Sequence, residues 1–248
     1  MADSSNKNSK SSVLAALYGN DYENELGSGC ISFENEDLNR KTKLFMRLLA
    51  LGLLIINIVM SIVLFPLWSL LTFLTNWGML VSFACILFLM YCASIPDIKL
   101  YKRTLCAVHI LFEFAIILNL VIPIIYWTLI HTHVIQNFKG YQLVHMYTVH
   151  IFPTFGLFLM YKSMDISLCA NHWVLFAPIT ILYSVINYLE TKSREKRGLG
   201  PQYWFITWKD YTTIVICIGI FVVFSMFYIG LAKLTKLTKH EKNTTKKT

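Results

Sequence analysis

The chain has 248 residues, 56% hydrophobic and only 15% charged, whereas soluble domains carry roughly a quarter of their residues as charges. That balance excludes an ordinary water-soluble globule and favours a single membrane unit over one or two soluble domains. The formal net charge of +8 does not indicate a nucleic-acid partner, because the cations sit at the edges of apolar runs and are not interleaved with aromatic residues; attraction to anionic lipid headgroups accounts for them.

Residues 1–43 are polar, rich in Ser, Asn, Asp and Glu, with one apolar patch from Val13 to Leu17. They are expected to form a disordered tail with no cleavable signal. Apolar stretches then follow at 44–66, 77–95, 104–130, 145–161, 170–189 and 211–232, most of them close to the ~20 residues that cross a hydrocarbon core. The expected fold is therefore all-α: a polytopic membrane protein, a bundle of about six transmembrane helices over residues 44–232, ending in a basic tail at 233–248. The stretch from Gly140 to Lys162 is the least regular of the six, since it contains His145, His150 and Pro153.

Arg40, Lys41 and Lys43 precede the first span, Lys99, Lys102 and Arg103 follow the second, and Lys233, Lys236, Lys239, Lys242, Lys246 and Lys247 follow the last. Six spans with both termini cytosolic put all of these on one side, leaving the segment Lys192 to Arg197, "KSREKR", as the exception to the positive-inside bias. The endoplasmic reticulum or the plasma membrane is the expected location, with the mitochondrial membrane left open. Six cysteines are scattered without a C-x-x-C pair and are expected to be buried free thiols.

Polar side chains at membrane depth cost a few kcal/mol each on insertion scales, so each needs a partner or a role. Three groups stand out. In "SLLTFLTNW", Ser69, Thr72 and Thr75 fall along one helical face beside Asn76, where hydroxyl back-bonding or helix capping is the plainer reading. In "LVHMYTVHIFP", His145 and His150 lie about 500° apart around a helix, so at most one faces any given pocket; scaffolding is again the plainer reading, and a general base the functional one. In "AVHILFEF", His109 and Glu113 stand at i,i+4, where pairing with each other competes with a proton-relay or substrate-positioning role. No further ligands converge with them in the sequence, so no metal and no cofactor is expected.

The order of these features resembles the androgen-induced membrane hydrolases, with the rolling-stone proteins as more distant relatives. "FLTNW" at the second span is similar to the family's F/Y-L-T element, whose threonine is the proposed nucleophile, and Thr75 is the matching residue. "VIPIIYWTLI" is similar to the valine-rich third span that closes on an aromatic-Trp pair, here Tyr126 and Trp127. The family's fourth-span histidine matches His150, with His145 as a looser alternative. Its acidic residue ten positions later falls on Met160, a departure, with Asp165 nearby. Its Y-P-F-L element before the last span corresponds to Tyr203-Trp204-Phe205-Ile206, with Trp in place of Pro. The resemblance covers residues 44–232.

What the resemblance implies is an integral-membrane lipid-ester hydrolase in which Thr75 attacks and His150 accepts the proton, acting on fatty acid esters of hydroxy fatty acids. Asn76 is a candidate oxyanion donor, with a backbone amide at the start of the second span as its equal. Membrane lipids and a lipid ester are the expected partners. Two other classes remain open: a non-enzymatic multi-pass protein serving a membrane complex through protein partners, and a transporter centred on His109 and Glu113.

Overall fold

The computed structural model describes residues 31–32, 37–94 and 102–245. Its helices are α1 (Arg40–Leu64), α2 (Ser69–Thr72), α3 (Leu74–Ser94), α4 (Lys102–Ile125), α5 (His131–Asn137), α6 (Gly140–Ser163), α7 (Phe176–Lys196) and α8 (Thr212–Thr245). A π-helical turn, Tyr126–Ile130, joins α4 to α5, and a 3₁₀ turn, Ala170–Leu175, leads into α7. The architecture is an all-α bundle with six helices long and apolar enough to cross a membrane. Among the described residues, extended pairing is confined to a two-residue antiparallel ladder, in which β1 (Ile31–Ser32) pairs with β2 (Asp165–Ile166), and an isolated bridge between Tyr203 and Ile206.

Boundaries differ from the hydropathy reading where polar residues are helical. Helix α1 begins at Arg40, inside the stretch assigned to the tail, because the Asn39 side chain accepts a hydrogen bond from the Thr42 N–H at 2.8 Å and caps a polar first turn. It ends at Phe65, whose extended backbone is what a following Pro66 demands. β1 also falls inside the segment expected to be disordered, while residues 1–30 and 33–36 of that segment lie outside the described residues. At the other end, α8 continues through the basic segment as far as Thr245. Hydropathy marks where a chain meets lipid, and a helix with a cap or charged last turns carries on past that point.

The centre of the bundle is made by α1, α3, α4 and α6, with Leu54, Met79, Ile86, Phe112, Leu157 and Met160 fully enclosed. Helices α1 and α6 run antiparallel and are tied by polar contacts along their length. Arg47 donates to Ser163 Oγ at 3.4 Å, Asn57 donates to the Thr148 carbonyl at 3.0 Å, and Ser61 Oγ lies 3.1 Å from His145 Nε2. Gly78 lets α3 approach α4 closely: a Cβ there would stand 2.5 Å from Ile122 Cδ1. Asn119 bridges the same junction, its amide donating to Ser82 Oγ and to the Ala115 carbonyl, each at 2.7 Å.

Helices α7 and α8 pack on this core through Phe176, Tyr228 and Ala232 and present Ile181, Leu189, Val223 and Met226 outward, a surface suited to hydrocarbon and not to water. α7 stops at Gly198, whose φ of +72° permits Leu199 N–H to reach back to the Arg194 carbonyl. Two of the four "KSREKR" cations are paired with carboxylates, Lys192 with Glu195 at 2.9 Å and Arg197 with Glu190 at 3.2 Å. Cys85, Cys92, Cys106, Cys169 and Cys217 are free thiols; Cys30 lies outside the described residues.

Candidate functional site: a threonine–histidine pair on an apolar cavity

The break between α2 and α3 explains the polar cluster around "TFLTNW". Phe73 is extended, so the helix stops at Thr72 and restarts at Leu74. A restarted helix leaves carbonyls behind it and amides ahead of it without intrahelical partners, and side chains take up most of them. Asn76 Nδ2 donates to the Ser69 carbonyl at 2.8 Å and Trp77 Nε1 to the Leu71 carbonyl at 2.8 Å. The Thr72 carbonyl accepts from Gln202 Nε2 at 2.7 Å and from the Tyr183 hydroxyl at 3.2 Å. Of the first-turn amides, Leu74 N–H donates to Tyr183 Oη, while Asn76 and Trp77 N–H share the Phe73 carbonyl. Among the described residues, no hydrogen bond falls to the Thr75 N–H.

Thr75 itself faces α6. Its Oγ1 lies 3.2 Å from His150 Nε2, while His150 Nδ1 lies 2.5 Å from the Met146 carbonyl one helical turn back. A carbonyl can only accept, so Nδ1 carries the proton and Nε2 presents its lone pair to the Thr75 hydroxyl, which donates. Tyr126 covers the imidazole with its ring centroid 3.6 Å away and the two planes 16° apart. That tyrosine opens the π-helical turn after Pro123. Proline has no N–H to give the Asn119 carbonyl, and Thr154 of α6 donates to that carbonyl instead at 2.5 Å. The same irregularity thus re-aims Tyr126 and ties α4 to the helix that carries His150.

Thr75 and His150 line a cavity of about 130 Å³ between α4, α7 and α8. Its α4 wall, from Phe114 to Ile125, follows one helical face for about 16 Å at 1.5 Å per residue. Tyr203, Phe205 and Ile206 also line it. They belong to a loop pinned by Trp204 Nε1 to the Leu129 carbonyl at 3.1 Å and by Asn187 to both Gln202 and Trp208. Apart from the threonine–histidine pair, a few hydroxyls and Cys217, the lining is aliphatic and aromatic. Chemically, the arrangement is an alcohol already hydrogen-bonded to an unprotonated imidazole nitrogen, facing a space that suits an alkyl chain.

The remaining sequence candidates lie elsewhere. The Asn76 amide is committed to Ser69 and the residue is not part of the cavity wall, which leaves the Thr75 amide as the first-turn donor in reserve. His145 sits on the far face of α6 against Ser61 and Phe65. Met160, at the position where the resembling family has an acid, is fully buried in the apolar core, and the Asp165 side chain lies outside the described residues. His109 and Glu113 are buried together, His109 Nε2 being 3.3 Å from Glu113 Oε1. They do not stand alone, because Glu113 Oε2 also pairs with His172 Nδ1. His172 went unnoticed in the sequence because it is 59 residues from Glu113 and no local spacing signals the contact. Tyr183 was missed for the same reason, since its role lies in capping a helix break on another element.

The fold and site define a class: a polytopic membrane protein carrying a hydrogen-bonded threonine–histidine pair at an apolar cavity. Compared with protein-family models, curated proteins and solved structures, the chain finds no match.

Proposed function

We propose that the chain is an integral-membrane hydrolase of lipid esters, with Thr75 as nucleophile and His150 as base. The observation that carries this reading is the 3.2 Å contact between Thr75 Oγ1 and His150 Nε2, with the other imidazole nitrogen committed to Met146. A threonine hydroxyl is a weak nucleophile at neutral pH and needs such a base. As Oγ1 attacks the ester carbonyl carbon, its proton passes to Nε2 and the carbonyl oxygen takes the negative charge. The Thr75 N–H, at the positive end of α3, is the donor for that oxyanion. Collapse expels the alcohol, which takes the proton from Nε2, and a water activated by the same nitrogen then releases the acid and frees Thr75.

The apolar wall along α4 supports an acyl chain as the group held beside the carbonyl. Fatty acid esters of hydroxy fatty acids are the substrates that the resemblance implies. With both termini on the cytosolic side, the "KSREKR" segment and the Thr75 end of the cavity face the lumen or the exterior, and the endoplasmic reticulum or plasma membrane is the setting.

Two observations favour a second reading, a non-enzymatic subunit of a membrane complex: His150 is oriented by a backbone carbonyl, and the position where the resembling family has an acid holds the buried Met160. Detergent-purified protein assayed on a panel of lipid esters separates the two. The hydrolase reading requires activity in the wild type, retention in Thr75→Ser and loss in Thr75→Ala and His150→Ala at unchanged expression. An inactive wild type supports the subunit, whereas variants as active as the wild type remove Thr75 and His150 from the reaction.

A further inference from the structure

Three titratable side chains converge at the opposite end of α4 from the threonine–histidine pair. His109 and Glu113 project from α4, and His172 comes from the 3₁₀ turn before α7; each is about 1% exposed. One ligand atom from each lies within 4.8 Å of the other two. The two imidazole rings approach at 5.7 Å between centroids, with the Glu113 carboxylate reaching both of them.

The surrounding backbone holds these groups in place. The Cys169 N–H donates to Glu113 Oε1 at 2.5 Å, the Ser167 carbonyl stands 2.7 Å from His109 Nε2, and Tyr228 of α8 donates to the Cys169 carbonyl at 2.7 Å. A ligating imidazole that gives its other N–H to a carbonyl, beside a carboxylate that is itself hydrogen-bonded, is the support found around metal ligands.

We propose that His109, Glu113 and His172 form a binding site for a first-row divalent metal ion, zinc in particular. Two imidazoles and a carboxylate are donors that zinc takes, at about 2.0–2.2 Å, with the fourth tetrahedral position left to water. A dication also answers the electrostatic problem of a carboxylate buried at the edge of a membrane bundle. Nine residues separate Glu113 from Ile122, the residue packed on Gly78, so the site lies about 14 Å along α4 from the Thr75 region. Its role is to lock the loop 164–175 onto α4, and it takes no part in ester cleavage.

Full-length protein purified in detergent without chelator and measured by elemental mass spectrometry is the test. The expected result is one zinc per chain, kept in Thr75→Ala and lost in Glu113→Gln and His172→Gln. Because those variants can fail to fold, a second measurement uses the wild type alone: the metal is stripped with chelator and cobalt(II) added. Visible d–d absorption of tetrahedral cobalt, saturating at one equivalent and abolished by added zinc, supports the site. Monodisperse wild type with no stoichiometric metal and no such absorption overturns it, as does zinc content unchanged in folded Glu113→Gln and His172→Gln. Metal content does not depend on hydrolysis, so the two proposals fail separately.

Discussion

Tyr126 lies flat on His150, with ring centroids 3.6 Å apart and planes inclined by 16°. The tyrosine ring is fully buried, and among the described residues its hydroxyl meets no hydrogen-bond partner. Ring and hydroxyl therefore make separable contributions. Tyr126→Phe keeps the stack and removes an unpaired buried group worth about 1–3 kcal/mol, so hydrolysis is expected to persist and the melting temperature to stay level or rise. Tyr126→Ala removes the surface against which the imidazole is oriented. Its kcat is expected to fall roughly a hundredfold while the protein remains folded, read from steady-state kinetics beside a thermal melt.

Asn76 distinguishes a structural clamp from an oxyanion donor. With its amide on the Ser69 carbonyl, Asn76→Ala is expected to lower stability by about 1 kcal/mol and to leave kcat within a few-fold of wild type. Loss of a true oxyanion donor costs about 10²–10³ in kcat. A drop of that size in a protein of unchanged melting temperature would return Asn76 to the site.

The α3–α4 contact predicts a steric defect that a second substitution repairs. In Gly78→Ala the added Cβ meets Ile122 Cδ1 at 2.5 Å and Asn119 Oδ1 at 3.0 Å. Overpacking of this kind costs about 1–3 kcal/mol. Ile122→Val removes the closer of the two atoms, so the double variant is expected to melt higher than Gly78→Ala alone. Melts of the two singles and the double, read as a cycle, measure the coupling.

Thr154 supplies the hydrogen bond that Pro123 cannot. Thr154→Val leaves the Asn119 carbonyl without its 2.5 Å donor and is expected to destabilise the fold by about 1–3 kcal/mol. It should also loosen the π-helical turn beneath Tyr126, seen as faster amide hydrogen exchange at residues 126–130.

The six spans could be read from the sequence because each is a run of side chains whose preference for hydrocarbon is additive along the chain. Their ends could not, since Asn39 extends α1 through a local cap and α8 carries its basic residues as ordinary helix. Within the site, Thr75 and His150 stood out as polar residues in apolar surroundings, but neither periodicity nor spacing could pair residues 75 positions apart. What joins the two in the sequence is the resemblance alone. Asn76 drew attention by adjacency to Thr75, and adjacency on a helix start points side chains in different directions. His172 and Tyr183 were silent because their roles are contacts across the fold: a carboxylate on α4 for one, a broken helix for the other.

The central claim is that Thr75 is an alcohol activated by His150. A fluorophosphonate carrying a long alkyl chain, incubated with detergent-solubilised protein and followed by peptide mass spectrometry, reads it directly. The account predicts a phosphonyl adduct on Thr75, competed by lipid ester and absent from His150→Ala. An adduct on any other residue, or equal labelling of Thr75 when the imidazole is gone, would contradict it.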